Sequence, residues 1–287
     1  MTSRNEKRIN SHPPPTAFTE QDNNKTNSDP TASFSFATPT EFVELPSKGR
    51  FYPEGHPLHN AESVEIRFMT AKDEDILTSK SLLRKGIAID RLLQNIINDK
   101  NVKIADLLVG DKNALVVAAR VSGYGADYKT RVQCPACAKS VQFEFDLDEA
   151  ELNHGEDFSD EYDAEERDGL FYVTLPKTKA EVGIRLLTSA DEKAIVKSME
   201  KRTKNNLPDS NVTDQCRYLI QSVNGDSDRQ AVNTLIANMP ALDSKYLREF
   251  YSKSAPNIDL SQTFDCENCG YEQEMEVPFT TDFFWPR

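Results

Sequence analysis

The alternation of apolar and polar residues predicts short strands mixed with helices along most of the chain. Val64 to Met69 alternates with a period of two, which is typical of a half-buried strand. A second group of apolar residues recurs at helical spacing and predicts a helix with one face on a core: Ile89, Leu92, Leu93, Ile96 and Ile97. Further helices are predicted over about 104–121, 191–203, 211–223 and 230–252, the last interrupted near Pro240. Together these patterns indicate an α+β fold.

Two of the predicted helices begin with the same short pattern, because Ile66–Glu74 resembles Ile184–Glu192. Each copy has a threonine at the predicted helix start and an arginine at the end of the preceding strand: Thr70 and Arg67 in the first, Thr188 and Arg185 in the second. A threonine here caps the first backbone N–H groups, and acidic residues in the first turn favour the positive end of the helix dipole. We interpret these carboxylates as capping charges that the arginines tie to the strands, and not as catalytic groups.

The order of elements repeats as well and predicts an internal duplication. Leu45-Pro46 has its counterpart in Leu175-Pro176, and each closes a predicted strand. Both halves then run through an Ile-Arg strand, a capped helix, further helices and a cysteine-bearing hairpin, and such a fixed order indicates a repeat. We expect two halves related by a pseudo-two-fold axis, residues 39–147 and residues 169–287.

Two segments have compositions that disfavour packing. Residues 1–38 are rich in Ser, Thr, Asn and Pro and predict a disordered tail. This tail is either a solvated leader or an arm that orders on a neighbouring subunit through Phe18, Phe34 and Phe36. Residues 148–168 are crowded with Asp and Glu and predict a solvated acidic linker, with a docking strip for a basic partner as the functional alternative.

Charge and composition exclude several classes of function. The chain has 287 residues with 34 Lys and Arg against 47 Asp and Glu, a formal charge of −13. This balance disfavours nonspecific binding to nucleic acid or to an anionic membrane surface. The N-terminus lacks an apolar signal segment and no apolar run is long enough to span a membrane, so we expect a soluble protein from a reducing compartment.

Four of the five cysteines form two CxxC pairs, each at a turn between strand-like runs: Cys134, Cys137, Cys266 and Cys269. Structural zinc takes four ligands in a tetrahedron, and two such knuckles supply four thiolates. The sequence therefore predicts one structural zinc site shared between the halves. The alternative is two separate sites completed by other ligands, and His56, His59 and His154 serve only the first half, since no histidine follows residue 154.

Catalytic chemistry at these cysteines is disfavoured. A dithiol redox motif lies at a helix N-terminus, whereas Cys137 is followed by a return strand with Val141 and Phe143. Four thiolates also close the coordination shell that catalytic zinc leaves open. Cys216, on a predicted helix, is interpreted as a buried, unreactive thiol. The C-terminal aromatic run 279–287 with Trp285 is either a hook on its own core or an anchor for another subunit.

Several separated runs resemble the T4-type bacteriophage baseplate hub protein family, in the family's order over roughly 40–200. They are Leu45–Tyr52, Ile66–Leu77, Gly86–Asp90, Asp106–Asp111 and Ser122–Gly125, followed by the first knuckle. The resemblance implies a phage-encoded component of a contractile-tail baseplate, either a hub subunit or a factor that assembles the hub. It implies other baseplate and hub proteins as partners, and a location in the virion tail and in the host cytoplasm during assembly.

The sequence as a whole therefore predicts a structural and assembly protein held together by zinc, without enzymatic activity or a small-molecule substrate. A zinc-ribbon module that binds nucleic acid is the first rival. The acidic residues around both knuckles argue against it. A CxxC thiol oxidoreductase is the second rival, and it requires a low-pKa thiol in the zinc-free protein.

Overall fold

The computed structural model describes residues 38–155, 161–206, 210–278 and 283–284. Predictions for the N-terminal tail and for Trp285 concern residues outside these ranges. The described residues combine helices with small antiparallel sheets, which confirms the α+β class. From Thr38 onward the chain forms one compact unit.

The first part of the chain, up to residue 153, contains four helices and five strands among the described residues. They are β1 (Thr40–Glu44), β2 (Ser63–Arg67), α1 (Ala71–Thr78), α2 (Lys80–Arg84), α3 (Ala88–Ile96), α4 (Val109–Tyr124), β3 (Asp127–Gln133), β4 (Ser140–Asp146) and β5 (Glu151–Asn153). In α3 the predicted apolar face packs as expected, with Leu92, Leu93 and Ile96 fully buried, although Ile89 is 36% exposed.

The second part of the chain adds four helices and seven strands among the described residues. They are β6 (Ala164–Arg167), β7 (Leu170–Thr174), β8 (Glu181–Ile184), α5 (Ser189–Lys204), α6 (Asn211–Leu219), β9 (Ile220–Val223), α7 (Arg229–Asn238), α8 (Ala241–Ser254), β10 (Asn257–Asp259), β11 (Ser261–Asp265) and β12 (Glu272–Glu276). Strands β6 to β9 form one four-stranded antiparallel sheet, and the other strands pair in twos: β1 with β2, β3 with β4, β5 with β10 and β11 with β12.

Two of the predicted helix boundaries are wrong. The helix expected over 211–223 ends at Leu219, and residues 220–223 form β9 against β8. The helix expected from residue 104 begins only at Val109, after a short 3-10 turn over Ile104–Asp106. In both places a backbone pairing with a distant strand or turn replaces the next helical hydrogen bond, and an apolar pattern does not distinguish these outcomes.

The acidic segment 148–168 contains strands β5 and β6, which pair with β10 and β7. His154 in this segment lies with its Nδ1 2.9 Å from the carbonyl oxygen of Pro46. The carboxylates of β6 are exposed, so the strand places its charge in solvent while its backbone pairs. A strand with this many carboxylates can still pair with its neighbour when one face of the sheet is exposed to water.

The two Ile-Arg strands meet their helices through the same set of contacts. Arg67 donates from both terminal nitrogens to Asp73 (2.7 and 3.0 Å), and the backbone N–H of Thr70 donates to that carboxylate at 2.8 Å. In the second copy Arg185 donates to Asp191 (2.7 and 2.8 Å), and the N–H of Thr188 donates to it at 2.9 Å. The prediction that the two arginines tie strands to neighbouring carboxylates is confirmed.

A second matching pair of contacts holds the Leu-Pro turns. The carboxylate of Asp111, the third residue of α4, accepts the backbone N–H of Ser47 at 3.0 Å. Asp243, the third residue of α8, accepts the backbone N–H groups of Lys177 and Thr178 at 2.7 and 2.9 Å. These contacts support the duplication, which stays a prediction.

The predicted halves are joined directly by backbone hydrogen bonds. The N–H of Val109 donates to Leu187 O at 3.0 Å, and the N–H of Ser189 donates to Leu107 O at 2.8 Å. The start of α4 is thereby tied to the start of α5. Strand β5, in the acidic segment between the halves, pairs with β10 of the second half.

Candidate metal centre

Both CxxC pairs occupy the tips of β-hairpins, as their flanking strands predict. In the β3–β4 hairpin the N–H of Cys134 donates to Lys139 O at 2.9 Å, and the N–H of Ala138 donates to Cys134 O at 2.8 Å. In the β11–β12 hairpin Cys266 N–H donates to Tyr271 O at 3.0 Å, and Gly270 N–H donates to Cys266 O at 2.8 Å. The two turns therefore have the same backbone hydrogen bonds at equivalent positions.

In each turn, the residue four positions after the first cysteine has a left-handed backbone conformation. Ala138 has φ of +56° and Gly270 has φ of +67°. This conformation closes the turn and lets the chain return as a strand, and it is strained for any residue with a Cβ. Each turn thus presents its two thiols on one side of the hairpin tip.

The two hairpin tips meet, and their four sulfur atoms form one cluster. The Sγ atoms of Cys134 and Cys269 are 3.8 Å apart, as are those of Cys137 and Cys266, and all four lie within 4.8 Å of one another. Sulfur atoms about 2.3 Å from a central ion at the corners of a tetrahedron are about 3.8 Å apart. The spacing fits a tetrahedral four-thiolate site. It is too long for a disulfide, whose sulfurs are about 2.05 Å apart.

In each CxxC pair the first cysteine is more deeply buried than the second. Cys134 and Cys266, the first cysteines, are fully buried, whereas Cys137 is half-buried and Cys269 is exposed. The cluster therefore lies at the rim of the core with one side toward solvent. This position is suited to a structural ion that enters after the hairpins have formed.

Hydrogen bonds to sulfur and neighbouring thiols shift the pKa of two of the four thiols, Cys137 and Cys269. The backbone N–H of Lys139 and the amide of Asn268 lower the pKa of Cys137 to about 6. The backbone N–H of Tyr271 favours the thiolate of Cys269 as well, but desolvation and the three neighbouring thiols raise its pKa to about 12. Thiolates this close repel one another, and a divalent cation at their centre would offset that repulsion.

Contacts behind the cluster hold the two hairpins side by side. The ring of Phe143 meets the ring of Phe264 edge-on, with centroids 5.2 Å apart. The side chain of Gln262 accepts the backbone N–H of Asp146 at 3.1 Å and donates to the carbonyl oxygen of the same residue. Apolar packing and one amide thus hold β4 beside β11.

Two polar side chains that join the cysteine hairpins were not singled out by the sequence. The Asn268 amide donates to Cys137 Sγ at 3.5 Å and its oxygen accepts the Lys139 ammonium at 2.8 Å, so it bridges the two turns. Asn268 could have been found from the sequence, because it lies between the two cysteines of a CxxC pair. Nothing in the sequence pointed to Gln262, because its hydrogen-bond partner Asp146 lies in the other hairpin.

The other candidate ligands lie outside the four-cysteine cluster. Nδ1 of His59 lies 2.7 Å from Tyr52 O, and His154 contacts Pro46 as described above. Cys216 is buried on α6, and this burial raises the pKa of its thiol. Phe283 and Phe284 of the C-terminal aromatic run are buried, with the Phe283 ring edge-on to Tyr128. Within the described ranges the four cysteines are the group of His, Cys, Asp and Glu placed to hold a metal.

A family model described as T4 bacteriophage base plate protein matches residues 38–285. The chain belongs to this baseplate family. The match runs through both cysteine hairpins, so the cluster is part of the baseplate-family region and not an appended module. No curated protein and no solved structure matches the chain. In the described part of this baseplate-family protein, none of the helices has the length and apolar character needed to cross a bilayer.

Proposed function

We propose that this chain is a structural and assembly component of the hub of a contractile-tail phage baseplate, with one structural zinc bound by Cys134, Cys137, Cys266 and Cys269. The baseplate family carries the first part of the proposal and the tetrahedral spacing of the four sulfurs carries the second. The protein then acts by presenting surfaces to other baseplate proteins in the virion tail, and during assembly in the host cytoplasm, and performs no chemistry.

Zinc has a clear physical role in this proposal. The two cysteine pairs are far apart in the sequence, and an ion between them links hairpins from the two predicted halves. Free energy of metal binding to a site that exists only in the folded chain is folding free energy. The ion would therefore make the two hairpins one rigid building block.

Metal analysis of the purified protein tests the zinc site. We expect one zinc per chain, and we expect Cys134→Ser to lose it and to lower the free energy of unfolding by about 4 kcal/mol or more, as loss of a structural metal does. Cys216→Ala is the matched control, because it removes a buried thiol outside the cluster and keeps the zinc. Zinc-free protein that melts like the zinc-loaded protein would contradict the proposal.

The hub role needs a separate experiment. Mass spectrometry of purified tails and of baseplate assembly intermediates from infected cells shows whether the chain is present and with which proteins it co-purifies. Presence in hub intermediates alone indicates an assembly factor, and presence in finished tails indicates a hub subunit. Absence from every hub-containing particle would rule out both, whatever the metal analysis shows.

The surface near the cluster disfavours the nucleic-acid alternative. Exposed carboxylates lie along both hairpins: Glu144, Asp146, Asp265, Glu267, Glu272 and Glu274. A phosphate backbone would be repelled there. Salt-sensitive retention of DNA or RNA in a filter-binding assay would favour a zinc-ribbon module instead.

The thiol oxidoreductase alternative is disfavoured by the position of the thiols. Both CxxC pairs lie at hairpin tips, so the pKa of Cys137 is lowered by hydrogen bonds from Lys139 and Asn268 and not by the helix N-terminus of a redox motif. Each sulfur also lies close to sulfurs of the other pair. Reduction of insulin by the zinc-free protein would support the oxidoreductase.

A further inference from the structure

Strand β1 has an open edge in the described structure. Among the described strands it pairs only with β2, and hydrogen bonds at both ends of the pair set the register. The N–H of Leu45 donates to Glu62 O at 2.8 Å, and the N–H of Phe68 donates to Pro39 O at 2.9 Å. In an antiparallel pair, residues alternate between those that bond to the neighbouring strand and those whose backbone points away from it.

This alternation assigns three residues to the open edge. With Leu45 and Pro39 bonded to β2, the N–H and C=O groups of Thr40, Phe42 and Glu44 point away from β2. No described backbone group accepts from or donates to them. An open row of this kind is a template for one more strand.

The side chain at the centre of this edge is also exposed. Phe42 leaves 74% of its surface in solvent, the largest exposed fraction among the large hydrophobic residues described. Covering a phenylalanine ring contributes about 1.5–3 kcal/mol. The edge therefore combines unpaired backbone with an unburied ring at one place.

The open edge of β12 carries charges that oppose pairing. In β12 the hydrogen bond from Val277 N–H to Leu260 O directs the backbone of Glu272, Glu274 and Glu276 to the open edge. Charged residues at a strand edge discourage a further strand from adding. The open edge of β1 has a single carboxylate, at its end, on Glu44.

We propose that β1 pairs with β1 of a second copy of this chain, antiparallel about a two-fold axis at Phe42. In this register Phe42 faces Phe42 of the other copy, and Thr40 faces Glu44. Every outward N–H and C=O group of the three residues finds a partner in the other copy. The contact is isologous, as closed dimers require.

The side chains of the exposed face fit this register. Two phenylalanine rings meet at the axis, and cross-strand aromatic pairs are favourable. A threonine hydroxyl faces a carboxylate on either side, so no like charges oppose each other. The same self-pairing of β12 would place Glu274 against Glu274, and the two carboxylates would repel each other. The Glu44 carboxylate, 3.9 Å from His154 Nε2, lies at the end of the strand.

A single pair of strands covers less surface than a permanent interface does, so the dimer forms reversibly and its population depends on concentration. A baseplate component that dimerises through one strand can exist as monomer and dimer during assembly. The edge of β1 contains none of the four cysteines, so this dimer is independent of the zinc site and of the hub role.

Sedimentation equilibrium of the full-length protein tests the dimer. We expect the mass to rise with concentration toward twice 32.4 kDa. Phe42→Pro removes an outward N–H and the ring, but no hydrogen bond to β2, and proline is tolerated at such an edge position. We expect it to weaken dimerisation by about tenfold or more, with an unchanged far-UV circular dichroism spectrum.

Glu274→Pro is the matched control, because it places the same residue at the centre of the open edge of β12 and should leave dimerisation unchanged. Phe42→Lys is a second variant that keeps the outward N–H but opposes two ammonium groups across the axis, and it should weaken the dimer as well.

Oxidation of Phe42→Cys should cross-link two copies, because facing residues at the axis lie within reach of a disulfide. Glu65→Cys, one strand away, should not cross-link.

Three results would overturn the proposal. The first is a wild-type protein that stays monomeric at high micromolar concentration, even if this edge then binds a strand of another baseplate protein. The second is a dimer that Phe42→Pro and Phe42→Lys leave intact. The third is equal loss of dimer in Glu274→Pro, since the contact would then not be specific to β1.

Discussion

Single buried carboxylates decide how strands and helices meet in this protein. The Asp73 side chain is fully buried, and it accepts hydrogen bonds from Arg67, Thr70 and Asn95. Burial alone would raise the pKa of Asp73, but these donors hold it well below its usual range. The pKa of Asp191 is lowered for the same reason, with Arg185 and Thr188 as donors.

The lowered pKa values predict an acid-sensitive contribution to stability. Because the folded pKa of Asp73 is below the unfolded value of about 3.9, its stabilisation is fully present above pH 4 and is lost as the pH falls through the folded pKa. We expect Asp73→Asn to lower the free energy of unfolding at pH 7 by about 2–3 kcal/mol. The deficit relative to wild type should shrink below pH 4 in urea titrations.

Two comparisons sharpen this measurement. Asp191→Asn should act in the same direction with a smaller effect, because the Asp191 side chain is 13% exposed. Asp75→Asn, an exposed neighbour on α1, should change stability by about 0.5 kcal/mol or less at either pH. A deficit of equal size at pH 3 and pH 7 for Asp73→Asn would contradict the assignment.

At the scale of elements, the two cysteine hairpins share the same turn hydrogen bonds but have different residues at the left-handed position. The left-handed position is Gly270 in one turn and Ala138 in the other. A left-handed conformation costs an L-residue about 1–2 kcal/mol relative to glycine. The first hairpin therefore carries strain that the second avoids.

Exchanging these residues should move stability in opposite directions. We expect Ala138→Gly to raise the free energy of unfolding by up to about 1 kcal/mol, and Gly270→Ala to lower it by about 1–2 kcal/mol. A Cβ at Gly270 would meet no described atom within 4 Å, so the effect comes from backbone conformation alone. Thermal melts of zinc-loaded protein measure both changes, and equal signs would show that the turns are not equivalent.

At the scale of the whole molecule, α4 connects the predicted halves. Its start is hydrogen bonded to the start of α5 through Val109. The Lys112 ammonium lies 3.1 Å from a Glu192 carboxylate oxygen on α5 and 3.6 Å from an Asp90 carboxylate oxygen on α3. On another side, α4 packs against Pro256 and Asn257. Asn257 is the first residue of β10 and Pro256 directly precedes it.

This last contact leaves no room for a side chain at Gly110. A Cβ there would lie 2.0 Å from Pro256 O and 2.8 Å from Asn257 Cα, and both are backbone atoms. We expect Gly110→Ala to lower the free energy of unfolding by about 1–3 kcal/mol through overpacking.

Gly123→Ala, in the same helix, is the matched control. Its Cβ would meet the flexible end of Met69 at 3.2 Å, and alanine favours the helix by up to about 1 kcal/mol. Chemical denaturation should therefore separate the two variants. Similar stabilities for both would mean that the contact of α4 with Pro256 is looser than described.

Much of the candidate site follows from local sequence. The CxxC spacing between alternating strands predicts a hairpin tip with two thiols, and both hairpins form. The Thr-x-x-Asp pattern likewise predicts the starts of α1 and α5, and the capping carboxylates lie where expected. These features depend on residues within one turn or hairpin, so the order of side chains determines them.

The long-range contacts could not be predicted in this way. Residues 220–223 form a strand because β8 offers an edge beside them, although their own pattern favours a helix. Gln262 bonds to Asp146 only after two hairpins have docked. A pattern in the chain carries no signal for a partner that is far away in sequence.

The sequence by itself determined the four cysteines, the hairpins that hold them, the capped helices and the membership of a baseplate family. Only the tertiary structure decided that the four sulfurs converge, that α4 ties the two parts of the chain together, and that no strand of the described ranges covers the outer edge of β1. The physical reason is that local conformation depends on neighbouring residues, whereas convergence and exposure depend on how all elements share one core.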